Sequence, residues 1–120
     1  MSLFFVCLLA VAVDGDTLRC ANITEANGRV RLARIDAAEM GTPGGEEARA
    51  ALAAMIAGQD VSCVQVDATS DTRQGEPRPD RYGRLVARCS VAGSEADLGA
   101  QMISAGQAVR WPKPRRPAGA

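Results

Sequence analysis

The chain contains no histidine. That absence excludes Ser-His-Asp and Cys-His nucleophilic sites, histidine acid–base catalysis and every zinc site built on imidazole. Lysine is nearly absent as well: of 14 basic residues, only Lys113 is not arginine. Aromatic residues make up 3% of the chain, so a core must be aliphatic and rich in alanine. No CxxC pair is present, which argues against a zinc ribbon or a thioredoxin-like redox site. No apolar run is long enough to cross a bilayer. The longest, residues 3–13, falls well short of the ~20 residues a membrane helix needs, and it lacks the basic flank of a cleavable leader. The chemistry left to such a chain runs on carboxylates, guanidinium groups, hydroxyls, thiols or a metal held by oxygen.

What is present is ordinary globular composition: 120 residues, 47% apolar and 23% charged. That length predicts one domain with a core of its own. Four cysteines stand at positions 7, 20, 63 and 89. Four cysteines allow three pairings. The segment bearing Cys7 reaches Cys20 through a tight turn, and Cys63 and Cys89 lie in two later apolar runs, so 7–20 and 63–89 are the preferred pairs. Buried free thiols are the alternative. Paired cysteines would suit an oxidising compartment, secreted or periplasmic.

Strand-like runs are expected over residues 3–13, 17–23 and 30–35, the first two joined by the Asp14-Gly15-Asp16 turn and the third preceded by the hairpin signal Asn27-Gly28. Met40-Gly41-Thr42-Pro43-Gly44-Gly45 breaks the pattern. Ala48, Leu52, Met55 and Ile56 then recur with helical spacing, and Gly58 closes that helix. Strands are expected again at 61–66 and 85–91, separated by a long polar loop over 68–79. Ser94 followed by Asp97 marks a helix start, with Leu98, Met102 and Ile103 as its apolar side. Residues 108–111 form a short extension, and a disordered Pro/Arg-rich tail is expected over 112–120. The order β-β-β-α-β-β-α predicts an α+β fold, a five-stranded OB-fold-like barrel with helices, in one domain over 3–111. An open sandwich is the alternative.

Three clusters carry the candidate chemistry: Asp14-Gly15-Asp16-Thr17, the run from Arg31 through Asp36 to Glu39, and Asp80-Arg81-Tyr82-Gly83-Arg84. Each alone has a bland explanation as a turn or a solvated surface. Together they describe more. Asp16 and Asp36, from different strand ends, supply the hard oxygen ligands that a calcium ion takes. Glu39 lies close enough in sequence to act as general base toward a water. Arg31 and Arg84 offer bidentate donors to a phosphate. A hard cation, a base and two guanidinium groups suit phosphodiester hydrolysis.

These motifs, in this order, resemble the staphylococcal nuclease family: Val13-Asp14-Gly15-Asp16-Thr17; Val30-Arg31-Leu32 with Ile35-Asp36-Ala37-Ala38-Glu39; and Asp80-Arg81-Tyr82-Gly83-Arg84-Leu85-Val86-Ala87. The resemblance covers about residues 5–110 and implies an OB-like barrel that cleaves DNA and RNA with calcium, preferring single strands and leaving 3′-phosphate ends. By position it implies that Asp16, Asp36 and the backbone carbonyl of Ala37 hold the metal, that Glu39 is the base, and that Arg31 and Arg84 bind phosphate. Asp14 falls beside the metal position, Tyr82 where a tyrosine contacts the nucleotide, and Arg81 adds a phosphate contact. DNA or RNA is the expected partner, with no membrane and a monomeric chain. Ala38 stands where the family usually has proline, which loosens the turn before Glu39. The family's nucleotide-flanking aromatics have no clear match beyond a partial substitute in Trp111. Two other readings stay open: a module that binds single strands without cutting, and an OB-type structural domain.

Overall fold

The computed structural model describes residues 3–66 and 78–112. Residues 67–77, which hold most of the expected polar loop, and 113–120, which hold most of the expected tail, lie outside the described residues.

Among the described residues, eight short strands and two α-helices form a mixed α+β architecture. The strands are β1 (Phe4–Cys7), β2 (Val11–Asp14), β3 (Thr17–Arg19), β4 (Arg29–Leu32), β5 (Ile35–Asp36), β6 (Val61–Val66), β7 (Leu85–Val91) and β8 (Val109–Arg110). The helices are α1 (Gly45–Ile56) and α2 (Leu98–Ser104). Six strands build one sheet in the order β1-β6-β7-β4-β3-β2. β5 and β8 form a separate two-stranded ladder. All pairs in the large sheet are antiparallel except β4 with β7. The large sheet has β1 and β2 at its edges and is not closed, so the expected order of five barrel strands is not what the hydrogen bonding gives.

Two of the expected strands are broken. The run 3–13 divides at Leu8-Leu9 into β1 and β2, with Leu9 in the left-handed region at φ 51°. Asn22 fastens this bend: its side-chain amide donates to the Val6 carbonyl and its Oδ1 accepts from the Leu8 N–H. The run 30–35 divides at Ala33-Arg34, where Arg34 takes φ 66°. That break frees β5 from the large sheet and lets it pair with β8, so that Ile35 faces Arg110 and Asp36 faces Val109. The expected strand 17–23 ends at Arg19, and a 3-10 turn over Glu25–Gly28 leads into β4. The helix start near residue 94 is Asp97 rather than Ser94: its carboxylate accepts the Ala100 N–H at 2.9 Å, as an N-cap should.

The core is aliphatic, as the scarcity of aromatics requires. Leu18, Val30, Leu32, Ile35, Leu52, Leu98 and Met102 are fully buried, whereas Phe4, Tyr82 and Trp111 are exposed. α1 packs against β2, and α2 packs against β7 and α1. Two disulfides staple the sheet. Cys7–Cys20 joins the end of β1 to the residue after β3, and Cys63–Cys89 links directly paired positions of β6 and β7.

One packing contact sets the position of the candidate site. Gly15, at the β2–β3 turn, lies so close to α1 that a Cβ there would meet Ala48 Cβ at 2.6 Å and Ala37 Cβ at 2.7 Å. Glycine at 15 therefore presses the Asp14–Asp16 turn onto both the helix and the segment that follows β5.

Candidate functional site

The first wall of the site is built on β3, β4 and the end of β5. Asp16 is 7% exposed, and its carboxylate is held from several sides. Its Oδ2 accepts the Ala37 N–H at 3.0 Å, and its Oδ1 accepts the Thr17 hydroxyl at 3.0 Å. The Arg31 guanidinium lies 3.4 Å from Asp16 Oδ2 and 3.6 Å from Asp36 Oδ1. One cationic group therefore touches both carboxylates at once. Arg31 also donates to the Leu32 carbonyl at 3.0 Å, which fixes its fork in this position. Asp14 joins the group from the other side of the turn, its Oδ1 accepting the Asp16 N–H at 3.1 Å. Burial, reinforced by the neighbouring Asp16, pushes the Asp14 carboxyl up from its ordinary value to about 6.

The second wall is the turn between residues 80 and 84. Asp80 organises it. Its Oδ1 accepts the N–H groups of Tyr82 and Arg84, both at 2.9 Å, and its Oδ2 accepts Arg84 Nε at 2.7 Å. The turn closes through Gly83, which takes φ 80° and donates to the Asp80 carbonyl. The guanidinium groups of Arg81 and Arg84 lie 5.0 and 5.3 Å from the centre of the Tyr82 ring, within cation–π range. Tyr82 is 65% exposed and presents its ring to solvent.

Thr17 joins the two walls. Its buried hydroxyl donates to Asp16 and accepts from Arg84 Nη1 at 3.4 Å. A continuous polar chain thus runs Arg84–Thr17–Asp16–Arg31–Asp36. Beside it opens a cleft of about 440 Å³ lined by Ala26, Asn27, Arg29, Glu39, Tyr82 and Arg84. Glu39 is exposed at its rim, on a backbone that Thr42 holds by donating its N–H and its hydroxyl to the Glu39 carbonyl. Gly45 packs onto that same carbonyl, which a Cβ at position 45 would strike.

The residues singled out from sequence are therefore gathered in two sets. Asp14, Asp16, Arg31, Asp36 and the Ala37 backbone share one network. Glu39, Tyr82 and Arg84 share the cleft, with Arg81 stacked at its edge. Trp111 lies elsewhere: it is half-exposed and donates its N–H to the Arg34 carbonyl after β8. Three side chains were not assigned roles from sequence. Asp80 and Thr17 stood inside the motifs, and an aspartate at the first position of a turn was a signal available for the former. Arg29 carried only its place two residues before Arg31.

Two carboxylates within reach of one cation, with a backbone amide beside them and only oxygen donors, form the kind of donor set that hard divalent cations accept. Among the described residues no group of three or more Asp, Glu or Cys side chains is gathered as a metal cage, so a cation held by Asp16 and Asp36 would complete its shell with carbonyl oxygen and water. Among the described residues no helix is long and apolar enough to cross a membrane.

The family model described as Staphylococcal nuclease homologue matches residues 29–117. The chain belongs to that family, whose domains are nucleases or nucleic-acid-binding modules. No curated protein matches the chain.

Proposed function

We propose that the protein is a calcium-dependent nuclease that hydrolyses phosphodiester bonds of DNA and RNA, preferring single strands and releasing 3′-phosphate ends, on a single OB-like domain. The observation that carries this is the polar chain Arg84–Thr17–Asp16–Arg31–Asp36, which links an acidic pair on one guanidinium to a second guanidinium that lines a cleft with Glu39. Asp16, Asp36 and the Ala37 carbonyl would hold the calcium ion. When bound, the ion supplies Lewis-acid polarisation of a phosphoryl oxygen. The remaining work falls to the chain's own residues. Glu39, at the cleft rim and without an ion-pair partner among the described residues, accepts the proton of the attacking water. Arg31 and Arg84 offer fixed N–H donors to the charge that builds on the non-bridging oxygens. Asp80 holds Arg84 in place and Thr17 ties it to Asp16, so both guanidinium groups are positioned before substrate arrives. Tyr82 offers an exposed ring on which a base can stack.

With equal numbers of acidic and basic residues, attraction for nucleic acid is local to this cleft. The test is cleavage of a fluorescent single-stranded DNA oligonucleotide with millimolar calcium and with EDTA. Cutting that calcium supports and EDTA stops is expected. Oligonucleotide binding with no cutting under any divalent cation would move the protein to the binding-module class.

A further inference from the structure

Arg29 precedes Arg31 by two residues on β4, so the two side chains leave the same face of the strand about 6.8 Å apart. Val30 pairs with Leu85 in the parallel ladder, which sets Arg29 beside Arg84 at the start of β7. Arg29 lines the cleft with Glu39, Tyr82 and Arg84. Among the described residues its buried Nε has no hydrogen-bond partner and no carboxylate pairs with its guanidinium. Leaving such a donor without an acceptor is costly. Directly opposite it on β3 stands Arg19, a like-charge cross-strand pair that weakens the sheet. An orphaned donor on an arginine that lines the cleft beside Arg84, with a like charge across the strand from it, calls for an anion.

We infer that Arg29 binds the phosphate adjacent to the scissile one and makes the enzyme prefer substrates with at least two consecutive phosphates. This rests on the nuclease reading of the cleft. The two-residue repeat of a strand is close to the spacing of successive phosphates along an extended single strand. Arg31 and Arg84 then take the scissile group while Arg29 takes its neighbour, through the terminal N–H groups of the planar fork that suits phosphate.

The experiment compares kcat/KM for a dithymidine with one phosphodiester and a trithymidine with two, in the natural protein and in Arg29→Gln. The natural protein should favour the trinucleotide by on the order of tenfold, and Arg29→Gln should lose that preference. A second arm uses trithymidines in which one linkage is an uncharged, uncleavable methylphosphonate. In the natural protein either placement leaves only one charged phosphate, so both should abolish the preference, whether or not the variant folds. Binding of a longer oligonucleotide should lose roughly 0.7 from its salt slope in Arg29→Gln, the share of a single phosphate contact. Cleavage by a natural protein that is indifferent to chain length and to methylphosphonate, or a variant that keeps the full preference, overturns the inference and leaves the nuclease reading standing. A natural protein that neither binds nor cuts any of these substrates overturns both.

Discussion

The two walls of the site hold their arginines in different ways. Arg31 is locked onto Asp16, a buried carboxylate from the β2–β3 turn, and is held further by Asp36 on β5 and by the carbonyl of its neighbour Leu32. Arg84 is held mainly by its own turn, through Asp80 four residues earlier, with Thr17 as a long-range tie. In the first wall the contacts that build the site are also contacts of the fold. In the second the geometry is a local device seated at the start of an interior strand. Damage to the first should therefore cost stability and activity together, and damage to the second should cost activity with little loss of fold.

The sharpest form of that contrast is a pair of matched substitutions. Arg31→Gln and Arg84→Gln should each lower kcat/KM by about 10²–10³-fold, the usual cost of losing one transition-state donor. Only Arg31→Gln should also lower unfolding free energy in urea by about 1–3 kcal/mol, because it leaves the buried Asp16 facing Asp36 without a cation. Equal stability losses would break the comparison. Next in size, Gly15→Ala should destabilise by about 1–3 kcal/mol, since its methyl group has no space against Ala48 and Ala37. Calcium-dependent activity should fall with it, because the Asp14–Asp16 turn must move. On the other wall, Asp80→Asn should lower kcat/KM on the order of tenfold while thermal unfolding shifts by only a few degrees. The smallest effect is expected for Tyr82→Phe, which removes the Arg81 contact to the hydroxyl but keeps the ring, and should change oligonucleotide affinity by about threefold at most.

The same division explains what could be read from the sequence. The β2–β3 hairpin, α1, β6, β7 and α2 follow from local signals: turn residues, a helical stripe and apolar runs bounded by glycine. The breaks at Leu9 and Arg34 do not, because neither position carries glycine, asparagine or proline to announce a left-handed residue. They are imposed from afar, by Asn22 at the first bend and by the β5–β8 ladder at the second. The closed five-stranded barrel was inferred from element order, but hydrogen-bonded closure depends on edge strands, and here both edges, β1 and β2, come from the single run that divides. At the site, the acidic and basic residues could be named from their motifs. The Thr17 bridge could not, since the residues it links, Asp16 and Arg84, are far apart in the chain and meet only once β3, β4 and β7 lie side by side. The pairing of Cys7 with Cys20 and of Cys63 with Cys89 was readable because each pair lies on elements expected to be neighbours, and the chain-entropy gain from closing those loops is about 3 kcal/mol each.

In the proposed reaction Glu39 transfers the proton while other residues make the binding contacts. One variant, Glu39→Gln, separates the two functions on single-stranded DNA with calcium. Cleavage should fall by about 10²–10⁴-fold while oligonucleotide affinity and thermal stability stay close to those of the natural protein. Cleavage that survives the substitution undiminished would contradict it, and would place the reacting water's base elsewhere than the rim of this cleft.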